Sequence, residues 1–196
     1  MKVSIWAVSN GMKHVEPIGT EELFRRHAPF VARFVTRVGA HLQDVEDVVQ
    51  DVFVTAHRRG GYLPGAASPT TWLANIALGV LSTRRRTRAR HPEDVTDEPG
   101  ATAIAPGVSP AEAIEVREAY ERVQQALARL DPDRRAVFVL FELEEQPCDE
   151  IAAGLGVPIG TVYSRLHAAR KEFSAAIERG RIAERAAPRA ARVGGA

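Results

Sequence analysis

Three groups of side chains in this sequence have the types and spacing to do chemistry. Asp44, Asp47 and Asp51 recur at i, i+3 and i+7 with Gln50 beside them, so a helix over 43–59 sets the carboxylates on one face. Such a face suits a metal site for phosphoryl chemistry, a plain solvated surface, or a docking surface for a basic partner. The second group is Arg84, Arg85, Arg86, Arg88 and Arg90, which follow a Gly- and Pro-rich loop carrying Tyr62. Arginines at a helix C-terminus suit its dipole when merely solvated. Near an aromatic-bearing loop they suit nucleic-acid phosphate better. The third group is Tyr163, Ser164, His167 and Lys171, a mixed polar helix face suited to the base edges and phosphates of a major groove.

The elements that must position these groups are helical. The third group lies in DEIAAGLGVPIGTVYSRLHAARKEF (149–173), which reads as a short helix, a turn at Gly156 and a second helix. Ile151, Ala152, Leu155, Val157 and Val162 fall where a helix-turn-helix packs, and Gly156 falls where its turn needs positive φ. Val162, Leu166, Ala169 and Phe173 make the buried stripe of the second helix. Upstream, Thr20 offers an N-cap for a helix whose apolar face is Leu23, Phe24, Phe30, Val31, Phe34, Val35 and Val38. Pro29 is expected to kink or split it, and Gly39 to stop it. Val45, Val48, Val49, Val52, Phe53 and Ala56 are the apolar stripe behind the three carboxylates. Ser68 caps a helix with Pro69 at its first position, in which Trp72 reads as core. Ser109-Pro110-Ala111-Glu112 is a capping box for a helix carrying Val116, Tyr120, Val123, Leu127 and Leu130. Asp131-Pro132 starts another, whose apolar run 136–143 must be buried on most sides.

Composition narrows the class. The chain has 196 residues, a net charge of +1 and one cysteine, Cys148, so no internal disulfide framework exists and a reducing cytoplasmic setting fits. The charge is uneven: residues 20–91 carry net +5 and 92–116 carry net −6. A basic first half therefore meets an acidic, Pro-rich linker, and that asymmetry points to nucleic acid. No run is long enough to cross a membrane. There is no Walker loop, no G-x-S-x-G and no metal-ligand pair, so the reading is of a non-enzyme with no catalytic residues, metal or cofactor. Cys148 reads as an inert exposed thiol rather than a redox sensor.

Two helical modules, an acidic helix face, an aromatic loop, a Trp helix and a C-terminal helix-turn-helix stand here in one order. The carrying segments are DVEDVVQDVF (44–53), Thr71-Trp72-Leu73 with Ile76-Ala77, Leu130-Asp131-Pro132, and GTVYSRLHAARK (160–171). Together they resemble an extracytoplasmic-function sigma factor, the small class of bacterial sigma-70 subunit, over about 21–90 and 112–173. The resemblance implies an all-α fold of two small helical domains joined by a flexible linker. Its expected divisions are an N-terminal extension (1–19, read as disordered), region 2 (20–91), an acidic linker (92–110), region 4 (111–178) and a basic flexible tail (179–196). It implies a cytoplasmic initiation factor that binds core RNA polymerase through the β′ coiled coil and β flap, selects promoter DNA and melts the minus-ten element. It also implies an anti-sigma partner and no membrane insertion. By resemblance, Asp44, Asp47, Gln50 and Asp51 contact polymerase. Tyr62, Ala66, Ser68, Thr70, Arg84, Arg85 and Arg88 serve the minus-ten strand. Thr161, Tyr163, Ser164, Arg165, His167 and Lys171 serve the minus-thirty-five duplex. Tyr163, Ala168 and Asn75 depart from residues frequent in the family, so the promoter sequence does not carry over. Pro147 stands where a Ser N-cap is frequent. The alternative is a helix-turn-helix regulator with an N-terminal sensor or dimerisation domain.

Overall fold

A computed structural model describes residues 16–90 and 109–186; the first fifteen residues, most of the expected linker and the last ten lie outside the described residues. The first module consists of α1 (Thr20–Arg37), a 3-10 turn (Leu42–Asp44), α2 (Val45–Arg58) and α3 (Pro69–Arg90). Leu23, Val31, Phe34 and Val35 of α1 pack with Val48, Val52 and Ala56 of α2 and with Leu73, Ile76 and Ala77 of α3. These are the positions that the helical period selects.

Four local expectations change. Thr20 is inside α1 and Gly19 is its N-cap, without a side-chain cap, while the Thr20 hydroxyl lies 3.4 Å from His57 Nδ1. Pro29 neither splits nor ends α1. It sits exposed, where the carbonyl deprived of its donor can be solvated. Phe24 is 51% exposed, yet it meets Phe53 edge-on at 5.0 Å between ring centroids. Residues 16–19 are held: Ile18 and Tyr62 form an antiparallel bridge with N–H···O distances of 2.8 and 3.1 Å. Gly39 does follow α1 in the left-handed region, at φ 97°.

The second module consists of α4 (Pro110–Ala128), α5 (Pro132–Phe138) continuing as a π turn (Val139–Leu143), α6 (Cys148–Leu155) and α7 (Ile159–Ala186). Both expected caps form. The Ser109 hydroxyl accepts from Glu112 N at 3.3 Å while Glu112 accepts from Ser109 N at 3.0 Å, and Asp131 accepts from Asp133 N at 3.0 Å. Ala136, Val137, Phe138, Val139 and Leu140 are all buried, as their continuous run requires. Val116 is not core but 53% exposed. α7 runs on to Ala186, so residues 179–186 of the expected flexible tail are helical, and Ala176 is packed inward.

The modules do not stand apart. Their buried residues join into one apolar cluster, with α6 lying against α3 and the π turn against α1.

Candidate nucleic-acid and partner interfaces

The acidic face of α2 divides in two. Asp51 Oδ2 accepts from Arg84 Nη2 at 2.5 Å and Nε at 3.0 Å, and Asp44 Oδ2 accepts from Arg88 Nη2 at 2.6 Å. Two carboxylates read as polymerase contacts are thus paired with two arginines read as DNA contacts. The reason is steric: α3 runs back along α2, so the Arg-rich end meets the acidic face. Asp47 and Gln50 are exposed and, among the described residues, have no intrachain partner. Gln50 borders an apolar groove of about 780 Å³ between α1 and α2, whose walls include Phe24, Val49, Phe53 and Val54. Among the described residues no His, Cys, Asp and Glu cluster is arranged to hold a metal ion.

The loop between α2 and α3 is fixed at both ends. Gly60 and Gly61 take φ 82° and 87°, and a Cβ on Gly61 would lie 2.4 Å from the Ile18 carbonyl oxygen. Tyr62 is buried rather than presented: its ring tilts against Trp72 at 5.6 Å and its hydroxyl donates to the Ala67 carbonyl. Ala66 is exposed, while Ser68 and Thr70 are half-buried. Ser68 Oγ accepts from Thr71 N at 3.2 Å, the expected cap, and donates to Gln146 Oε1 at 3.1 Å. Leu63, 64% exposed on this loop, is a candidate the sequence reading passed over. Its one signal was an apolar residue set among glycine and proline. Arg85 donates to the Val38 carbonyl at 2.8 Å, so Arg84, Arg85 and Arg88 each already hold an intrachain acceptor.

The helix-turn-helix forms as its spacing dictates. Gly156 takes φ 67°, and Val157 N closes the turn onto the Ala152 carbonyl at 3.0 Å. Pro147 is the N-cap of α6 and offers no side-chain acceptor. Val162, Leu166 and Ala169 point inward, while Tyr163, Ser164, His167 and Lys171 are exposed together on the opposite face. Thr161 is half-buried, and its carbonyl accepts from Ser164 Oγ at 3.0 Å. Arg165 pairs with Asp133 and Arg170 with Glu142 at 2.6 Å, its guanidinium 5.3 Å from the Phe141 ring. These two arginines brace α7 against α5 and the π turn that continues it. Burial, reinforced by Asp149, pushes the half-buried Cys148 thiol up against the opposing pull of Arg170, which disfavours the reactive thiolate.

Residues 23–91 match the family Sigma-70 region 2 and residues 120–173 match Sigma-70, region 4. The ECF RNA polymerase sigma factor SigE of Mycolicibacterium smegmatis is 34% identical over 154 residues, covering 78% of this chain and 59% of that protein. The RNA polymerase sigma-H factor of Pseudomonas aeruginosa is 32% identical over 143 residues, covering 69% of this chain and 74% of that protein. The co-crystal structure of the sigma factor RpoE with the anti-sigma factor NepR from Bartonella quintana shares the fold at a TM-score of 0.63 and 22% identity, covering 81% and 96% of the two chains. The structure of CnrH in complex with the cytosolic domain of CnrY matches at 0.56 and 26% identity, covering 81% and 87%. The chain belongs to the sigma-70 family of RNA polymerase sigma factors, and within it to the extracytoplasmic-function class. Among the described residues, no helix is long and apolar enough to cross a membrane.

Proposed function

We propose that this chain is a transcription initiation factor that binds core RNA polymerase, directs it to a subset of promoters and opens the minus-ten element. The observation that carries the reading is the α2 face: Asp47 and Gln50 are exposed and without an intrachain partner among the described residues, and Gln50 lines an apolar groove together with Glu46. The groove can seat the apolar side of a basic amphipathic coiled coil such as that of β′ and supply affinity, with Glu46 at its edge and Asp47, next to it in the helix, supplying orientation. Asp44 and Asp51 lie on the same helix outside that groove and set the positions of Arg88 and Arg84.

The loop 60–68 and the Arg-rich end of α3 receive the minus-ten strand. Ala66, Ser68, Thr70 and the exposed Leu63 border the space for an unstacked base, and Tyr62 supports the loop from beneath. Extruding a base costs a few kcal/mol, which a shaped pocket offsets. Arg84, Arg85 and Arg88 reach phosphates from that end. Tyr163, Ser164, His167 and Lys171 face the minus-thirty-five duplex, with Thr161 at the start of the same helix and Arg165 bracing it. The work is binding alone and needs no catalytic group. An anti-sigma factor is the expected regulator.

The test is run-off transcription. Purified protein, core polymerase and a pool of genomic promoter fragments are expected to yield discrete transcripts that neither protein gives alone. A chain that binds promoter duplex yet never associates with core polymerase is instead the ordinary helix-turn-helix regulator.

A further inference from the structure

Residues 16–19, ahead of α1, are tied by their backbone to the loop between α2 and α3. Ile18 N–H donates to the Tyr62 carbonyl at 2.8 Å, and Tyr62 N–H donates to the Ile18 carbonyl at 3.1 Å. Pro17 fixes its own φ and narrows the range of Glu16, so this strap loses little freedom when it pairs. The Ile18 side chain packs against the apolar core. At the other end of the strap Gly19 caps α1, its carbonyl accepting from Leu23 N at 3.0 Å.

The loop is shaped to admit the strap. Gly60 N and Gly61 N close the end of α2 onto the His57 and Ala56 carbonyls at 2.9 and 3.0 Å, with both glycines in the left-handed region. Their requirements differ. A Cβ on Gly60 meets nothing within 4 Å, so its backbone alone asks for glycine. A Cβ on Gly61 would collide with the Ile18 carbonyl oxygen, and the strap would have to retreat to restore an ordinary contact of 3.4 Å or more. From the bridge the connection runs on into the loop. The Tyr62 ring lies beneath it against Trp72, and the Tyr62 hydroxyl donates to the Ala67 carbonyl, between Ala66 and Ser68. A loop with glycines at 60, 61 and 65 is thus held in one shape from outside itself.

We propose that residues 16–19 are a strap that pre-sets the base-capturing loop 60–68, with Ile18 and Gly61 as positioning residues, so that the chain ahead of α1 governs promoter opening. The inference rests on the sigma-factor reading, in which this loop receives the minus-ten strand. A loop already in its binding shape loses less freedom on capturing an unstacked base, and the freedom spared appears as affinity. Capture must offset the cost of extruding the base, so a loosened loop is felt most where the bases are still paired. Where the strands are already apart, the loop has less to offset. Ile18 acts through Tyr62 and the Ala67 carbonyl, and one hydrogen bond of the strap is worth up to about tenfold in capture.

The experiment reconstitutes full-length wild type, Gly61→Ala, Gly60→Ala, Ile18→Pro and Ile18→Val with core polymerase. The probe is a promoter fragment selected in the run-off test, used as full duplex and with its minus-ten bases mismatched. Permanganate reactivity of unpaired thymines gives opening, and titration gives core binding. Both glycine variants carry the same left-handed strain, but only Gly61→Ala collides with the strap. Gly61→Ala is expected to open the duplex about tenfold less well than Gly60→Ala, with a gap under about threefold on the mismatched fragment and equal core binding. Ile18→Pro removes the N–H that the Tyr62 carbonyl accepts and should show a like defect, which Ile18→Val, keeping that N–H, relieves. This second pair carries the test if circular dichroism shows Gly61→Ala misfolded. Equal duplex opening within each pair, or a defect of the same size on both fragments and in core binding, would each overturn the proposal while wild type still transcribes. No opening by any chain, wild type included, would sink the sigma-factor reading and the role of the strap with it.

Discussion

Asp47 and Asp51 sit one helical turn apart on one face, and the structure predicts that they fail in different ways. Asp51 is tied to Arg84, with side chains 50% and 34% exposed. A pair that open to solvent is worth about 0.2–1 kcal/mol. Asp51→Ala and Arg84→Ala should each lose about that much stability, and the double variant should lose less than the sum. Asp47 has no intrachain partner among the described residues, so Asp47→Arg should shift stability by less than about 0.5 kcal/mol. Its cost should fall on polymerase binding. Reversing one charge on a complementary rim should weaken binding at least about tenfold, or 1.4 kcal/mol. Urea denaturation measures the first quantity, and titration of labelled protein with core polymerase the second. The reasoning is refuted if Asp51→Ala leaves stability untouched while Asp47→Arg unfolds the chain, or if Asp47→Arg binds polymerase as wild type does.

Three further outcomes are expected. Gly156→Ala forces a Cβ into the left-handed region at φ 67°, so chemical denaturation should show a loss of about 1–2 kcal/mol. Burial, then the Arg26 charge, lowers the His27 pKa from its ordinary 6.5, so the folded chain holds the imidazole neutral when the unfolded chain would already protonate it. That contribution to stability is complete above pH 6.5 and is lost as pH falls from there through the lower folded-state value; His27→Gln should flatten the decline in pH-dependent denaturation curves. His167→Ala should change preference at one promoter position by about 1–3 kcal/mol in a binding-site selection, whereas an equal loss on every sequence would place His167 on the phosphate backbone.

The helices were legible because each carries its own apolar period and punctuation. Ser109 with Glu112, Asp131 with Pro132, and Gly156 specify local geometry through bonds and φ values among near neighbours, so nothing distant is needed to read them. The exposed face of Tyr163, Ser164, His167 and Lys171 follows likewise from the stripe opposite it. Where a local rule bent, at Pro29, tertiary packing of Phe30, Val31, Phe34 and Val35 outweighed one missing hydrogen bond. What the sequence could not disclose is pairing at long range. That Asp51 meets Arg84, that Tyr62 turns inward under its loop, and that Glu144 lies between Arg33 and Arg37 depend on how helices cross. Gly154 shows the difference most plainly. In sequence it is a small residue in a short helix, with no turn to explain it. Only the approach of Thr71 from the other module gives its missing side chain a purpose, because steric exclusion between segments far apart in the chain leaves no local trace.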